Sequence, residues 1–187
     1  MFSFDASRPV PAPAPASAAA PGRSCGTCSL CCKLLDVKPM FSAAGQWCKL
    51  CDPGRGCRQH MLRPKECRDF NCLWLTDAMF GPEWKPEVAK FVMALEYNDT
   101  CLAIHVDPKL PNAWRKEPYA STIRLLVEKG LAHNCVTMVV EPRGRTLLLP
   151  DREVPLGARD ARFTWEIKAG RGPNGTTSYD VVFERAA

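Results

Sequence analysis

The run Cys25-Gly26-Thr27-Cys28-Ser29-Leu30-Cys31-Cys32 governs the reading of the whole chain. Two overlapping C-x-x-C steps let one tight loop aim several sulfurs inward, and the small residues Gly26, Thr27 and Ser29 leave backbone N–H groups free to face them. Three cysteines at this spacing suit an iron–sulfur cluster completed by a remote fourth cysteine. Structural zinc more often takes two separate C-x-x-C pairs. The vicinal pair Cys31-Cys32 fits neither pattern fully: adjacent side chains diverge, so one of the two serves a second centre or faces the core.

Outward from this run, two further groups follow. Cys48-Lys49-Leu50-Cys51 leads through Asp52-Pro53-Gly54-Arg55-Gly56 to Cys57, a C-x-x-C with a Pro-Gly turn and another cysteine, the sequence of a metal knuckle. Arg63-Pro64-Lys65-Glu66-Cys67 then precedes Arg68-Asp69-Phe70-Asn71-Cys72. Pro64 is placed to start a short helix that carries Cys67 one turn on, with Cys72 just beyond. Of 11 cysteines in the 187 residues, nine lie between Cys25 and Cys72. That number suffices for two four-ligand sites with one thiol over, and inert buried thiols do not account for nine. Cys101 and Cys135 sit in strand-like apolar runs and are assigned to the core as small hydrophobes.

Composition sets the context. Hydrophobic residues make up 46% and charged residues 24%, ordinary values that exclude wholesale disorder and coiled-coil classes. No stretch is long and apolar enough to predict a membrane span. Residues 1–24 hold Pro9, Pro11, Pro13, Pro15 and Pro21 among Ala and Ser, which predicts a disordered, Pro/Ala-rich lead without the apolar stretch of a secretory signal. The expected location is therefore cytoplasmic, a reducing compartment in which clustered thiols are more often metal ligands or redox groups than disulfides. Residues 25–72 carry eight Lys or Arg against four Asp or Glu, a local +4, while the chain from Leu73 onward is balanced. A centre of four thiolates around a divalent metal, or a [4Fe-4S] cluster in its 2+ state, is formally doubly negative. The basic residues thus have a local task in stabilising thiolates, and they do not by themselves indicate nucleic acid.

The cysteine run resembles the YkgJ-like cysteine-cluster family, zinc- or iron-chelating domains named for a C-x-x-C-x-x-C-C signature. The matching pieces are Cys25, Cys28, Cys31 and Cys32, then Cys48 with Cys51, Gly56-Cys57, Arg63-Pro64 and Cys67, ending in Phe70-Asn71-Cys72. The resemblance implies chelation of zinc or iron, with an iron–sulfur cluster included. It also implies kinship with the cysteine cluster of a flagellin lysine methylase, but not that enzyme's activity. Gln59-His60 stands where family members often carry Ile-Tyr, which raises His60 as a ligand or as a hydrogen-bond partner of a cysteinate.

Beyond the cluster, residues 76–187 predict a small α+β region. Trp74 and Trp84, in an irregular connection, are expected to cap the metal module. Phe91–Tyr97 and Cys101–Val106 flank Asn98-Asp99-Thr100 in the pattern of a hairpin. Pro118–Lys129 carries Tyr119, Ile123, Leu126 and Val127 at helical spacing, with Gly130 marking its end. Strands are expected over Cys135–Glu141, Thr146–Leu149, Arg162–Ala169 and Ser178–Arg185, the last pair setting Phe163, Trp165 and Ile167 against Tyr179, Val181 and Phe183. The predicted fold is α+β, a Cys-rich metal-organised module packed on a small antiparallel sheet with one main helix. No nucleotide-binding or hydrolase signature occurs in this half, and His105 and His133 are read as structural. Three functions are compatible with the sequence. The first is a metal-chelating protein whose nine cysteines hold an iron–sulfur (4Fe-4S) cluster or zinc in a structural or redox role. The others are a redox or protein-modifying accessory enzyme, and a metal-dependent adaptor for a protein partner. The overlapping three-cysteine loop tilts the metal choice towards iron–sulfur.

Overall fold

The computed structural model describes residues 2–5, 19–133, 135–158, 163–172, 175 and 177–185. In chain order the elements are β1 (Phe2–Asp5), α1 (Cys31–Leu34), β2 (Cys51–Asp52), β3 (Gly56–Cys57), α2 (Lys65–Asp69), α3 (Leu73–Thr76), α4 (Pro86–Ala89), β4 (Phe91–Glu96) and β5 (Cys101–Val106). After these come α5 (Tyr119–Ala132), β6 (Val136–Val140), β7 (Arg145–Leu148), β8 (Glu153–Gly157), β9 (Phe163–Arg171) and β10 (Thr177–Arg185). The fold is α+β, with one main helix and a five-stranded sheet in the order β4-β5-β6-β7-β8. Its pairings are antiparallel except β5–β6, which is parallel because α5 carries the chain back across the sheet before β6 begins. The sheet therefore departs from the all-antiparallel pairing that the sequence suggested at this one crossover.

The predicted hairpin forms, with Leu95 opposite Leu102 and Glu96 opposite Cys101. Tyr97, Asn98 and Asp99 all take positive φ values to turn the chain. Side chains alternate between the two faces of the sheet. One face carries Phe91, which meets Tyr119 at 5.1 Å and Trp84 at 6.1 Å, both edge-on. The buried stripe Ile123, Val127 and Leu131 of α5 belongs to the same core. The other face presents Val92, which is fully buried against Leu30 and Leu34 of the cysteine loop, with Cys31, Phe70 and Cys72 packed around them. The cysteine module thus rests on the reverse side of the sheet from α5.

A buried ion pair fastens this joint. Lys33, inside α1, places Nζ 2.7 and 2.6 Å from the two carboxylate oxygens of Asp107, the residue after β5. Beside it, a Cβ on Gly45 would stand 2.6 Å from the Pro142 side chain, so only glycine lets this loop close against the sheet.

Several expectations change. Trp84 does not cap the cysteine module; it is buried in the sheet core with Phe80 and Tyr119. Trp74 does lie at the module's border, between the cations of Arg23 and Lys85 at 5.3 and 5.5 Å from its ring. Helix α5 runs past Gly130 to Ala132. Gly130 serves a close approach instead, since a Cβ there would meet the Cys135 carbonyl oxygen at 2.7 Å. Of the expected disordered lead, residues 1 and 6–18 lie outside the described residues. Residues 2–5 form β1 against β9. Ala20 is buried and donates its N–H to the Leu75 carbonyl at 2.9 Å. Arg23 donates to the carbonyls of Trp74, Asp77, Ala78 and Phe80, clamping that turn. In the second sheet, β1-β9-β10, the backbone register pairs Ile167 with Val181 and Trp165 with Phe183, in keeping with the alternation, while Tyr179 pairs with Ala169. Part of its Gly-Pro-Asn-Gly turn lies outside the described residues. No helix among the described residues is long and apolar enough to cross a membrane.

Candidate metal centre

The backbone gathers the cysteine groups by short local links. Cys28 N–H bonds the Cys25 carbonyl and Cys51 N–H bonds the Cys48 carbonyl, each at 2.9 Å, so both C-x-x-C steps are tight turns. Cys48 N–H donates to the Cys32 carbonyl at 2.9 Å, docking the second group on the first. β2 and β3 pair so that Cys51 stands opposite Cys57. Pro64 caps α2, which carries Cys67, and Cys72 precedes α3, as the sequence suggested.

All nine sulfur-bearing residues of the cluster, Cys25, Cys28, Cys31, Cys32, Cys48, Cys51, Cys57, Cys67 and Cys72, line one cavity of about 470 Å³. Its apolar floor includes Leu75 and Val92 of the sheet side. His60 borders the same cavity but is exposed. Cys101, fully buried, and Cys135, half-buried, stay in the sheet core as expected. His105 is buried and meets Glu96 at 2.8 Å, reaching across the facing pair Ala94 and Ala103, and His133 closes α5 by donating to the Lys129 carbonyl at 2.9 Å. Both fit the structural role assigned to them. All eleven cysteines are free thiols. No group of three His, Cys, Asp or Glu side chains among the described residues is drawn together in the geometry of a single-ion site.

Burial and crowding set the chemistry of these thiols. Burial pushes Cys51, Cys67 and Cys72 up to about 11, and neighbouring thiols add to it. Cys25 is also raised, first by burial and then by Cys28. Cys31 is pushed well above the ordinary thiol value because its proton is held in a hydrogen bond to Cys32. Cys32 is the counterpart: hydrogen bonds from Cys31 and Cys51, together with the Arg63 cation, bring it down to about 6 against the opposing effect of burial. Arg63 acts favourably on the thiolates of Cys25, Cys32 and Cys67 alike, and is itself fixed by donating Nε–H to the His60 carbonyl at 2.9 Å. In the sequence Arg63 is one of eight basic residues and part of the Arg63-Pro64 step of the resemblance, neither of which assigns it to the thiolates; nor does the sequence show that Lys85, thirteen residues beyond Cys72, interacts electrostatically with Cys25 and Cys28. The cavity thus supplies soft donors with a cation beside them, a set chemically suited to thiophilic metals.

No family model matches this chain, and neither does any curated protein or solved structure.

Proposed function

We propose that this protein chelates metal through the nine cysteines of the cavity, as an iron–sulfur protein, and that the metal organises the N-terminal half of the fold. The observation that carries the reading is the convergence of all nine cysteines on one cavity of about 470 Å³. A structural zinc brings its four sulfurs to ~2.3 Å and fills the space between them by itself. A void in the ~300–1,000 Å³ range of cofactor pockets, ringed by thiols, suits a polynuclear group that brings its own sulfide. The three-cysteine loop at Cys25, Cys28 and Cys31 supports the same choice, and the resemblance of the cysteine run to the YkgJ-like family supports chelation.

The structural role follows from how little else holds the module. Its buried hydrophobic cluster consists of Leu30 and Leu34 on Val92, too small to offset the ordering of some fifty residues. Thiolate–metal bonds supply the difference; structural zinc in small peptides contributes ~10–16 kcal/mol. A bound cluster would also supply one-electron chemistry.

Metal and acid-labile sulfide content, with a visible spectrum, on protein purified anaerobically without a metal-affinity tag tests the proposal. Iron with matching sulfide and a broad band near ~400 nm is expected. Stoichiometric zinc without colour transfers the structural role to zinc, and protein free of both metals sinks the reading.

A further inference from the structure

The rim of the thiol cavity displays apolar side chains that the fold does not use. Among the described residues the three most exposed large apolar side chains are Phe41, Met61 and Leu62, at 93%, 85% and 79%. They come from two short turns, Lys38–Met40 with Phe41 at its end, and His60–Leu62. Val37 and Met40 line the cavity from the first turn, His60 and Leu62 from the second. Phe41 and Met61 are chain neighbours of these lining residues, one Cα step of ~3.8 Å away, and stand at the edge. Phe41 is held in place there. Val37 and Ser42 exchange backbone hydrogen bonds at 2.9 and 3.3 Å, and the Phe41 N–H donates to the Lys38 carbonyl at 3.0 Å. This closure puts Phe41 at φ 50°, a left-handed backbone that is uncommon for a bulky residue and suits glycine or asparagine. The ring gains no burial in return. A strained position that displays an aromatic side chain, instead of packing it, points to contact with another molecule.

Charge marks the same rim. Lys38, Lys49, Arg58 and Arg68 are exposed; Arg68 lines the cavity, and the other three are each next in sequence to a residue that does. Arg58 donates to the Lys49 carbonyl, which sets these two side by side. None of the four forms an ion pair among the described residues. The nearby carboxylates are fewer: Asp52 and Asp69 meet Arg55 and Lys65, which leaves Asp36 and Glu66. Resting on the chelation reading above, which makes this cavity the metal site, we propose that its rim is the docking face for an acidic protein, one that presents an apolar side chain among carboxylates. An apolar centre with a charged surround is the ordinary anatomy of a protein interface, and methionine adapts to the partner it meets. The seat is a recess: Met40 and Leu62 carry the apolar surface from the rim into the cavity wall, where a protruding protein side chain enters and a flat bilayer does not.

The test uses the intact, metal-loaded chain and two double variants at exposed positions outside the cavity wall, Phe41→Asn/Met61→Ser and Lys38→Glu/Arg58→Glu. A phage-displayed library of short random peptides is selected on the wild-type chain. Enrichment of sequences with Asp or Glu flanking Leu, Phe or Met is expected. The synthesised peptide should bind each double variant at least about tenfold more weakly and should lose affinity for the wild-type chain as salt is added. Enriched peptides without acidic residues, or peptides that bind all three chains alike, overturn the proposal. Binding to vesicles of equal parts phosphatidylcholine and phosphatidylglycerol, abolished in both variants, overturns it in favour of a lipid surface. Dimerisation in sedimentation velocity, abolished in the same way, overturns it in favour of a second copy. Phe41→Asn alone is expected to raise the thermal midpoint, because asparagine tolerates the left-handed backbone; a lower midpoint would mean that the ring serves the fold and overturns the docking role. A wild-type chain that carries no metal overturns the chelation reading and this proposal with it, whereas a loaded chain whose rim selects no acidic peptide overturns only the docking face.

Discussion

Lys33 sits between a metal-ligand candidate and a sheet, and its partner Asp107 lies 74 residues away. Both side chains are at most a tenth exposed. Removing one partner of such a pair strands the other charge in the interior, which costs about 3–5 kcal/mol, while replacing both with apolar residues is often neutral. Asp107→Ala is therefore expected to lower stability by that amount in urea denaturation, and Lys33→Met/Asp107→Leu to restore most of it. Equal losses for both variants would mean that packing at the joint, and not charge, carries the effect. Nothing in the sequence marks this pair, because the spacing of charges along a chain carries no information about contacts between a loop and a distant strand end. Cys32 gives a second expectation at this scale. In metal-free protein its thiol, lowered from 9.0 to about 6 first by the Cys31 hydrogen bond, is ionised through pH 7–8 while Cys51, Cys67 and Cys72, at about 11, stay protonated. Peptide-resolved alkylation should rise at Cys32 with a midpoint near pH 6, and Cys31→Ala should move that midpoint upward. A midpoint at the ordinary thiol value of ~8.5 would contradict the hydrogen bond. The sign for stability differs between the two kinds of thiol. The lowered Cys32 favours the fold fully above pH 9, and that contribution is lost as pH falls towards 6. The three raised thiols leave the fold unaffected below pH 9 and weaken it as pH climbs from 9 to 11, when the unfolded chain ionises first.

Among the elements, α5 and its return to β6 depend on one glycine. A methyl at position 130 would press on the Cys135 carbonyl at 2.7 Å, a backbone atom that also stands next to the first residue of β6. Gly130→Ala raises helix propensity by ~1 kcal/mol, yet the clash forces a backbone shift of the kind that costs ~1–3 kcal/mol. The expected net result is a lower thermal midpoint, and a higher one would show that the return can relax freely. Sequence reading finds this helix from its helical spacing, the β4–β5 hairpin from two apolar runs around a turn, and the β9–β10 pairing from the alternation of its residues. It missed β2 and β3 because two residues have no period. It missed β8 because Pro155 and two exposed Glu and Gly ends are those of an edge strand. Composition alone predicts residues 1–24 to be unstructured, because the carbonyls that receive the Arg23 guanidinium belong to a turn more than fifty residues on. The ligand candidates were legible for the opposite reason, since cysteine clustering is a compositional signal that needs no knowledge of contacts.

At the scale of the molecule, two halves of unequal self-sufficiency share one wall. The sheet half has an extensive core, with Phe91, Ile104, Ile123, Met138 and Leu147 all fully buried, and each such side chain contributes at ~25 cal/mol per Å² of apolar surface buried. The cysteine half borrows Val92 from that sheet and adds Leu30 and Leu34. Stripping metal should therefore not melt the chain uniformly. Hydrogen exchange on metal-loaded and chelator-treated protein is expected to show residues 25–72 losing their protection, while β4–β7 and α5 keep theirs, since local stability follows buried apolar contact. Val92 and the Lys33–Asp107 pair mark where the two regimes meet. Amides in β4, on the strand that carries Val92, should show an intermediate response because loss of the module uncovers that side of the sheet. If β5 and β6 exchange as fast as the cysteine loop after metal removal, the two halves fold as one unit and the metal stabilises all of it. If the loop stays protected without metal, Leu30, Leu34 and the Lys33–Asp107 pair are sufficient by themselves, and the cysteines are free for a purely redox role.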